Sequence, residues 1–246
     1  MYDVKIHGEV KNHSNVTLSS SSEYRYERKF LVNRLSREEV ELIIRLHPAI
    51  FREIFHQRFV NNIYLDSCKL INYYDNIEGQ SRRKKARIRW YDNLFGEITK
   101  PVLEIKVKNG ELGRKISRVL EPFEISQGID LTSVCSLNQD ILHSSLPGIG
   151  SLVPTLLNRY SRKYFISNDG LYRVTVDCDQ SFSRIYGRGS ASKNHVKDHE
   201  SVVLEVKYSR EQDMNAHAIT SRFPFRMTKN SKYISGMQQT SQDLMC

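Results

Sequence analysis

Cysteine is scarce in this chain and widely spaced. Cys68, Cys135, Cys178 and Cys246 form no C-x-x-C pair, which argues against a disulfide framework or a zinc site and suits a reducing compartment. Long apolar runs are missing too: none approaches the ~20 residues that cross a bilayer, and the opening MYDVKIHGEV lacks the apolar core of a secretion signal. A cytoplasmic protein is the expectation. No P-loop, G-x-G-x-x-G, H-E-x-x-H or G-x-S-x-G occurs, so the common phosphate-cradling, zinc-protease and serine-hydrolase signatures are absent. The eight histidines show no ligand spacing, and no internal repeat suggests a solenoid.

What the chain has is positive charge and alternation. Its 246 residues fit one large domain or two small ones, and the formal charge of +9 favours anionic partners. Residues 1–22, ending in four serines, read as a flexible lead-in, and 23–240 as the folded domain. Tyr24–Val32 reads as a strand. Ser36 and Glu39 make a capping box ahead of an amphipathic helix that Pro48 closes. Strands follow at Arg58–Leu65 and 82–91, with a short helix from Cys68 between them; Val102–Lys108 and Gly113–Leu120 form a hairpin around Asn109-Gly110. A helix is expected over Ile129–Leu142, strands over Thr155–Ile166, Leu171–Asp179 and Val202–Tyr208, and a mobile loop over Gly187–Glu200. Helices near Glu211–Ser221 and Lys232–Gln239 complete an α+β pattern, an antiparallel sheet or barrel decorated with helices.

Three of these strands place a glutamate and a lysine two residues apart: Glu27 and Lys29, Glu104 and Lys106, Glu205 and Lys207. Positions i and i+2 share a face. In the last two strands the opposite face is apolar: Leu103, Ile105 and Val107, then Val202, Leu204, Val206 and Tyr208. The most basic run, 82–89, puts Lys85, Arg87 and Arg89 on one face, and Arg173 has similar apolar neighbours. If the apolar faces pack outward under helices, the charged faces converge inside a barrel, and an eight-stranded barrel can hold a small ligand. Like charges enclosed in this way repel, and a bound polyanion or many counter-charges, part of which the in-register glutamates supply, would make them tolerable. The carboxylates offer hard oxygen ligands for Mg²⁺ or Mn²⁺ bridged to phosphate. Alternatively, E-x-K on a single strand is a solvated face with a cross-strand ion pair, and the Lys/Arg run alone is a solvated face or a nucleic-acid patch.

The pieces YRYERKF, RIRWY, LEIKVK, YSRKYF, YRVTVD, LEVKY and SKYISGM, in this order between Tyr24 and Gln239, resemble the VTC domain. This is the polyphosphate polymerase domain of the vacuolar transporter chaperone family, within the CYTH-like triphosphate tunnel enzymes. The resemblance implies an antiparallel barrel with a basic tunnel for ATP, triphosphate or polyphosphate. It implies phosphate-contacting roles for Lys29, Arg87, Arg89, Lys106, Arg162, Arg173 and Lys232, with Lys115 or Arg114 in the hairpin as a further candidate. Glu205 looks like the Mn²⁺- or Mg²⁺-binding carboxylate, with Lys207 lining the same wall. Where the wider superfamily opens with E-x-E-x-K, this chain has Arg25 between Glu23 and Glu27, which weakens the case for a second metal there. Fungal relatives also carry a phosphate-sensing domain and membrane helices that are not seen in this sequence, so product translocation is not expected. The leading expectation is a polymerase. A triphosphate hydrolase sharing the same site is the alternative, followed by a polyphosphate- or nucleic-acid-binding module using Trp90, Tyr91, Tyr24 and Tyr26 as stacking surfaces. In-register carboxylates would repel a nucleic-acid backbone, so nucleic acid is not the expected partner.

Overall fold

The computed structural model describes residues 21–126, 152–186 and 190–242. Eleven strands are described: β1 (Ser21–Val32), β2 (Arg52–Ser67), β3 (Arg82–Tyr91), β4 (Gly96–Ile98), β5 (Val102–Asn109), β6 (Leu112–Val119), β7 (Phe123–Ile125), β8 (Leu152–Ile166), β9 (Arg173–Tyr186), β10 (Ser190–Asp198) and β11 (Val202–Ser209). The described helices are α1 (Arg37–Arg45), α2 (Ile71–Ile77), α3 (Ala216–Thr220) and α4 (Lys232–Gln242), with a 3-10 segment at Arg210–Asn215. The helix expected over Ile129–Leu142 lies outside the described residues.

The hydrogen-bonded order β9-β11-β1-β6-β5-β3-β2-β8 returns to its start, because β8 also pairs with β9. The result is an eight-stranded antiparallel barrel, and β4 and β7 pair in a separate two-stranded sheet. One long strand serves both neighbours: β9 pairs with β11 through Arg173–Asp177 and with β10 from Gln180 onward. Between these halves Asp179 takes a left-handed φ of 52°, where the β8 ladder also shifts register, the mark of a bulge that bends a strand.

Local chemistry accounts for several elements. Ser36 Oγ accepts from the Glu39 N–H while the Glu39 carboxylate accepts from the Ser36 N–H, closing the expected capping box of α1. The β5–β6 turn runs through Gly110 at φ 62°, a conformation that favours glycine. Two expectations are corrected. Ser190–Asp198, expected as a loop, is β10, laid against the second half of β9 by backbone pairing that polar composition does not disclose. The single helix expected over Glu211–Ser221 is a 3-10 segment followed by the short α3.

The apolar faces do pack outward. Leu103 and Ile105 join Ile88, Trp90 and Phe123 in one cluster, with Ile98 and Ile125 of the β4–β7 ribbon over them. Val202, Leu204, Val206 and Tyr208 join Val40 and Ile44 of α1 and Ala216 of α3 in a second. A third seats Tyr233 and Met237 of α4 against Tyr64, Leu156 and Phe182. Gly236 permits this approach: a Cβ there would lie 2.4 Å from Phe182 and 2.6 Å from Leu156. With the apolar sides covered, the charged sides are left facing one another.

Candidate active site: a basic tunnel

A cavity of about 250 Å³ runs among these inner faces, lined by twelve basic and four acidic side chains. Cross-strand register decides how they pair. Lys29 stands opposite Glu205, Glu27 opposite Lys207, Arg87 opposite Glu104, and Arg162 opposite Asp177. Directly opposed side chains on one face lie within contact distance, so the ladder itself builds the Lys29–Glu205, Arg87–Glu104 and Arg162–Asp177 pairs.

Three carboxylate centres result. Glu104 accepts from Arg87 Nε at 2.9 Å and Nη2 at 2.7 Å and from Lys115 Nζ at 2.8 Å, with Arg89 Nη1 at 3.3 Å. Glu205 is held by Lys207 at 2.7 Å, Lys29 at 2.8 Å and Arg162 at 3.5 Å, and Glu27 beside it pairs with Lys106. Asp177, fully buried, takes Arg162 in a two-pronged contact at 2.5 and 2.6 Å and Lys232 at 2.5 Å. Tyr160 completes this end, with its hydroxyl accepting from Arg89 at 3.2 Å and its ring 4.6 Å from Lys232 Nζ.

The charges hold one another ionised. Burial alone would raise Glu205, but Lys207 and Lys29 keep it well below the usual carboxylate range. Glu104 is held down against the same burial by Arg89, Arg87 and Lys115. Lys106 shows the opposite balance: burial outweighs its Glu27 partner and brings it down to about 8. Lys85 is pushed well below the ordinary lysine value by burial and by Lys29 and Lys106. An interior that already strains against its own positive charge is suited to an incoming polyanion.

The VTC domain profile matches residues 24–241. The chain belongs to the VTC domain family. Among curated proteins no relative matches the sequence. Solved structures similar to this VTC domain include a candidate adenylyl cyclase from Hippeastrum, described as showing a dominant triphosphatase activity, at 14% identity and a TM-score of 0.45, covering 88% of this chain and 95% of that one. Candidate adenylate cyclases from Vibrio parahaemolyticus and Bacillus halodurans are similar at 12% and 15% identity, each with a TM-score of 0.48; they cover 87% of this chain in both cases and 98% and 96% of their own.

In this VTC domain, Lys29, Arg87, Arg89 and Lys106 all line the cavity, as do Lys115, Arg162, Lys207, Lys232 and Glu205. Arg114 also reaches it, beside Lys115 in the hairpin. Arg173 is not brought there: it shares the inner-face parity of Thr175 and Asp177 but stands exposed at the first residue of β9. Trp90 is buried against Phe123, with its Nε1 donating to Asn93 O, so it offers no stacking surface to a base. Tyr26 is stacked on Tyr208.

Reading the sequence did not assign a role to Asp177, Lys85 or Tyr160. Asp177 had a signal, a lone carboxylate in the apolar run Val174–Cys178. The donor chemistry fits a hard divalent cation only in part. Among the described residues no three His, Cys, Asp or Glu side chains gather as a metal centre. Mg²⁺, however, is commonly held by one or two carboxylates together with substrate phosphates and water. Ionised Glu205 meets that requirement, with phosphate oxygens as the remaining ligands.

Proposed function

We propose that this domain is a cytoplasmic polyphosphate polymerase that moves the terminal phosphoryl group of ATP onto a polyphosphate chain lying in the tunnel. The observation that carries the reading is the tunnel lining, where among the described residues twelve basic side chains stand with four carboxylates. Among the described residues, no helix is long and apolar enough to cross a membrane.

The residues divide the work by position. Arg87, Arg89 and Lys106 bind and orient the triphosphate and neutralise charge on the transferring group, which is where most phosphoryl-transfer catalysis originates. Arg162 and Lys232, fixed by Asp177, would hold the neighbouring phosphates. The bond from the γ-phosphorus to the bridging oxygen breaks, ADP keeps that oxygen and its electrons, and a terminal oxygen of the chain forms the new bond to phosphorus. Mn²⁺ or Mg²⁺ on Glu205, when bound, would supply Lewis-acid stabilisation of the phosphate oxygens. With water as acceptor the same wall would serve a triphosphate hydrolase.

The test is incubation of the purified protein with ATP and Mn²⁺, resolving polyphosphate on a gel beside released phosphate. Chains that appear, and vanish with Arg87→Ala, support the polymerase. Phosphate without chains replaces it by the hydrolase, and neither product leaves a binding module.

A further inference from the structure

The cations of the tunnel are not equivalent. Lys106 pairs with Glu27, Lys115 with Glu104, and Lys29 and Lys207 with Glu205. Lys85 has no such partner: among the described residues no carboxylate pairs with it, and its Nζ donates instead to Ser231 Oγ at 2.7 Å. Register makes its position worse. Lys85 stands directly opposite Lys106, which stands directly opposite Lys115, so three lysines lie abreast on β3, β5 and β6. Like charges directly opposed across a ladder are destabilising.

Four cations act on Lys85 from its own and nearby strands. It faces Lys29 from β1 and Lys106 and Lys108 from β5, with Arg83 beside it on its own strand. Arg87 follows on the same face of β3, and Lys232 follows Ser231 at the start of α4. The nearby carboxylates Glu27 and Glu104 are engaged by other cations. Burial and these neighbours together push the Lys85 ammonium toward losing its proton more readily than an ordinary lysine. Ser231 Oγ accepts from Lys85 and lies 3.5 Å from the Ile234 N–H. Its own hydroxyl proton can turn toward a third group.

We propose that Lys85 and Ser231 form a further phosphate-binding position of the tunnel, one that gains a proton from solvent as the phosphate chain arrives. The inference rests on the tunnel's taking phosphate chains. Lys85 Nζ accepts the proton and becomes an ammonium paired with a phosphate oxygen, while Ser231 donates its hydroxyl to the same phosphate.

Tripolyphosphate serves as the probe, titrated calorimetrically into the intact protein in buffers of different ionisation enthalpy, from about pH 6 to about pH 9. The slope against that enthalpy counts protons taken up. Protons belonging to the ligand appear alike in every variant; because Lys106 stands opposite Lys85 and titrates with it, the comparison is made in a Lys106→Arg background, so that differences between variants isolate Lys85. With Lys85 kept, that background is expected to take up as much as one proton per site more than with Lys85→Arg, whose guanidinium stays charged. Lys85→Arg should bind at least as tightly, and Lys85→Met roughly tenfold more weakly, in keeping with the loss of a charged hydrogen bond. Equal uptake with and without Lys85→Arg overturns the proposal, as does undiminished binding by Lys85→Met. A folded wild type that binds no tripolyphosphate overturns the phosphate-tunnel reading and this inference with it, a result distinct from binding without the extra proton.

Discussion

Replacing Asp177 by asparagine removes one charge and almost no volume from behind the tunnel lining. In the native protein Asp177 is fully buried and is the close partner of both Arg162 and Lys232, themselves only 7% and 6% exposed. Burial raises the Asp177 carboxyl, but Arg162 and Lys232 hold it below its ordinary range, so the ionised form is what the fold contains. Breaking a buried pair by removing one partner costs about 3–5 kcal/mol, because the remaining charge is stranded. Glu205, 3.5 Å from Arg162, takes over part of the compensation, which sets the expected loss near the lower end, about 3 kcal/mol. For a domain of this size that is a fall in Tm of roughly 6–12 °C. The assay is thermal unfolding followed by circular dichroism, with and without tripolyphosphate. A ligand at about 100 times its Kd adds about 2.7 kcal/mol to the folded state, and the stranded cations should let the variant bind more tightly and recover more than wild type does. A variant that melts within about 2 °C of wild type without ligand, or that gains no more from ligand, refutes the assignment of Asp177 as the fixed counter-charge.

The remaining predictions concern metal, pH and packing. Glu205→Gln should abolish metal-dependent turnover while tripolyphosphate binding, measured by calorimetry, stays at least as tight, since Lys29 and Lys207 lose a competitor; full activity in that variant refutes the metal assignment. Lys106, brought down to about 8, is protonated below that pH and neutral above it, so tripolyphosphate affinity should fall as pH rises through this range, and Lys106→Arg should remove that inflection. Gly236→Ala places a methyl group 2.4 Å from the Phe182 ring and should cost about 1–3 kcal/mol in urea unfolding. Because α4 carries Lys232, this variant should also weaken tripolyphosphate binding.

Alternation made much of this fold legible. The two-residue periods of 82–91, Val102–Asn109 and Val202–Ser209 assigned outer and inner faces correctly, because each strand is regular and one face is wholly apolar. The strand expected over Arg58–Leu65 is longer, running from Arg52 to Ser67. Its register shifts on both sides of Phe55 break the period on which such a reading depends. β10 has no apolar face to announce it and is assigned by its ladder to β9. The site divides in the same way. Parity within one strand says which side chains point inward, but only register between strands says which inward charges meet, so Lys29 and Lys106 were visible as cations whereas the pairing of Asp177 with Arg162 and Lys232 was not. Arg173 shows the remaining gap: the correct parity at the end of a strand places a side chain at the rim.

The ladder-built ion pairs make the tunnel resemble an ion exchanger loaded with its own resident anions. A phosphate oxygen entering beside Arg87 or Lys29 does not meet a bare cation; it displaces part of the grip that Glu104 or Glu205 already holds. If the tunnel takes a phosphate chain as proposed, fewer mobile salt ions need to be expelled as it enters. The salt dependence of binding should then be shallower than the number of basic groups in the wall would give if each had been neutralised from solution. The same exchange would let a chain advance by trading partners one phosphate at a time, because each cation released by a departing phosphate has a carboxylate beside it to return to.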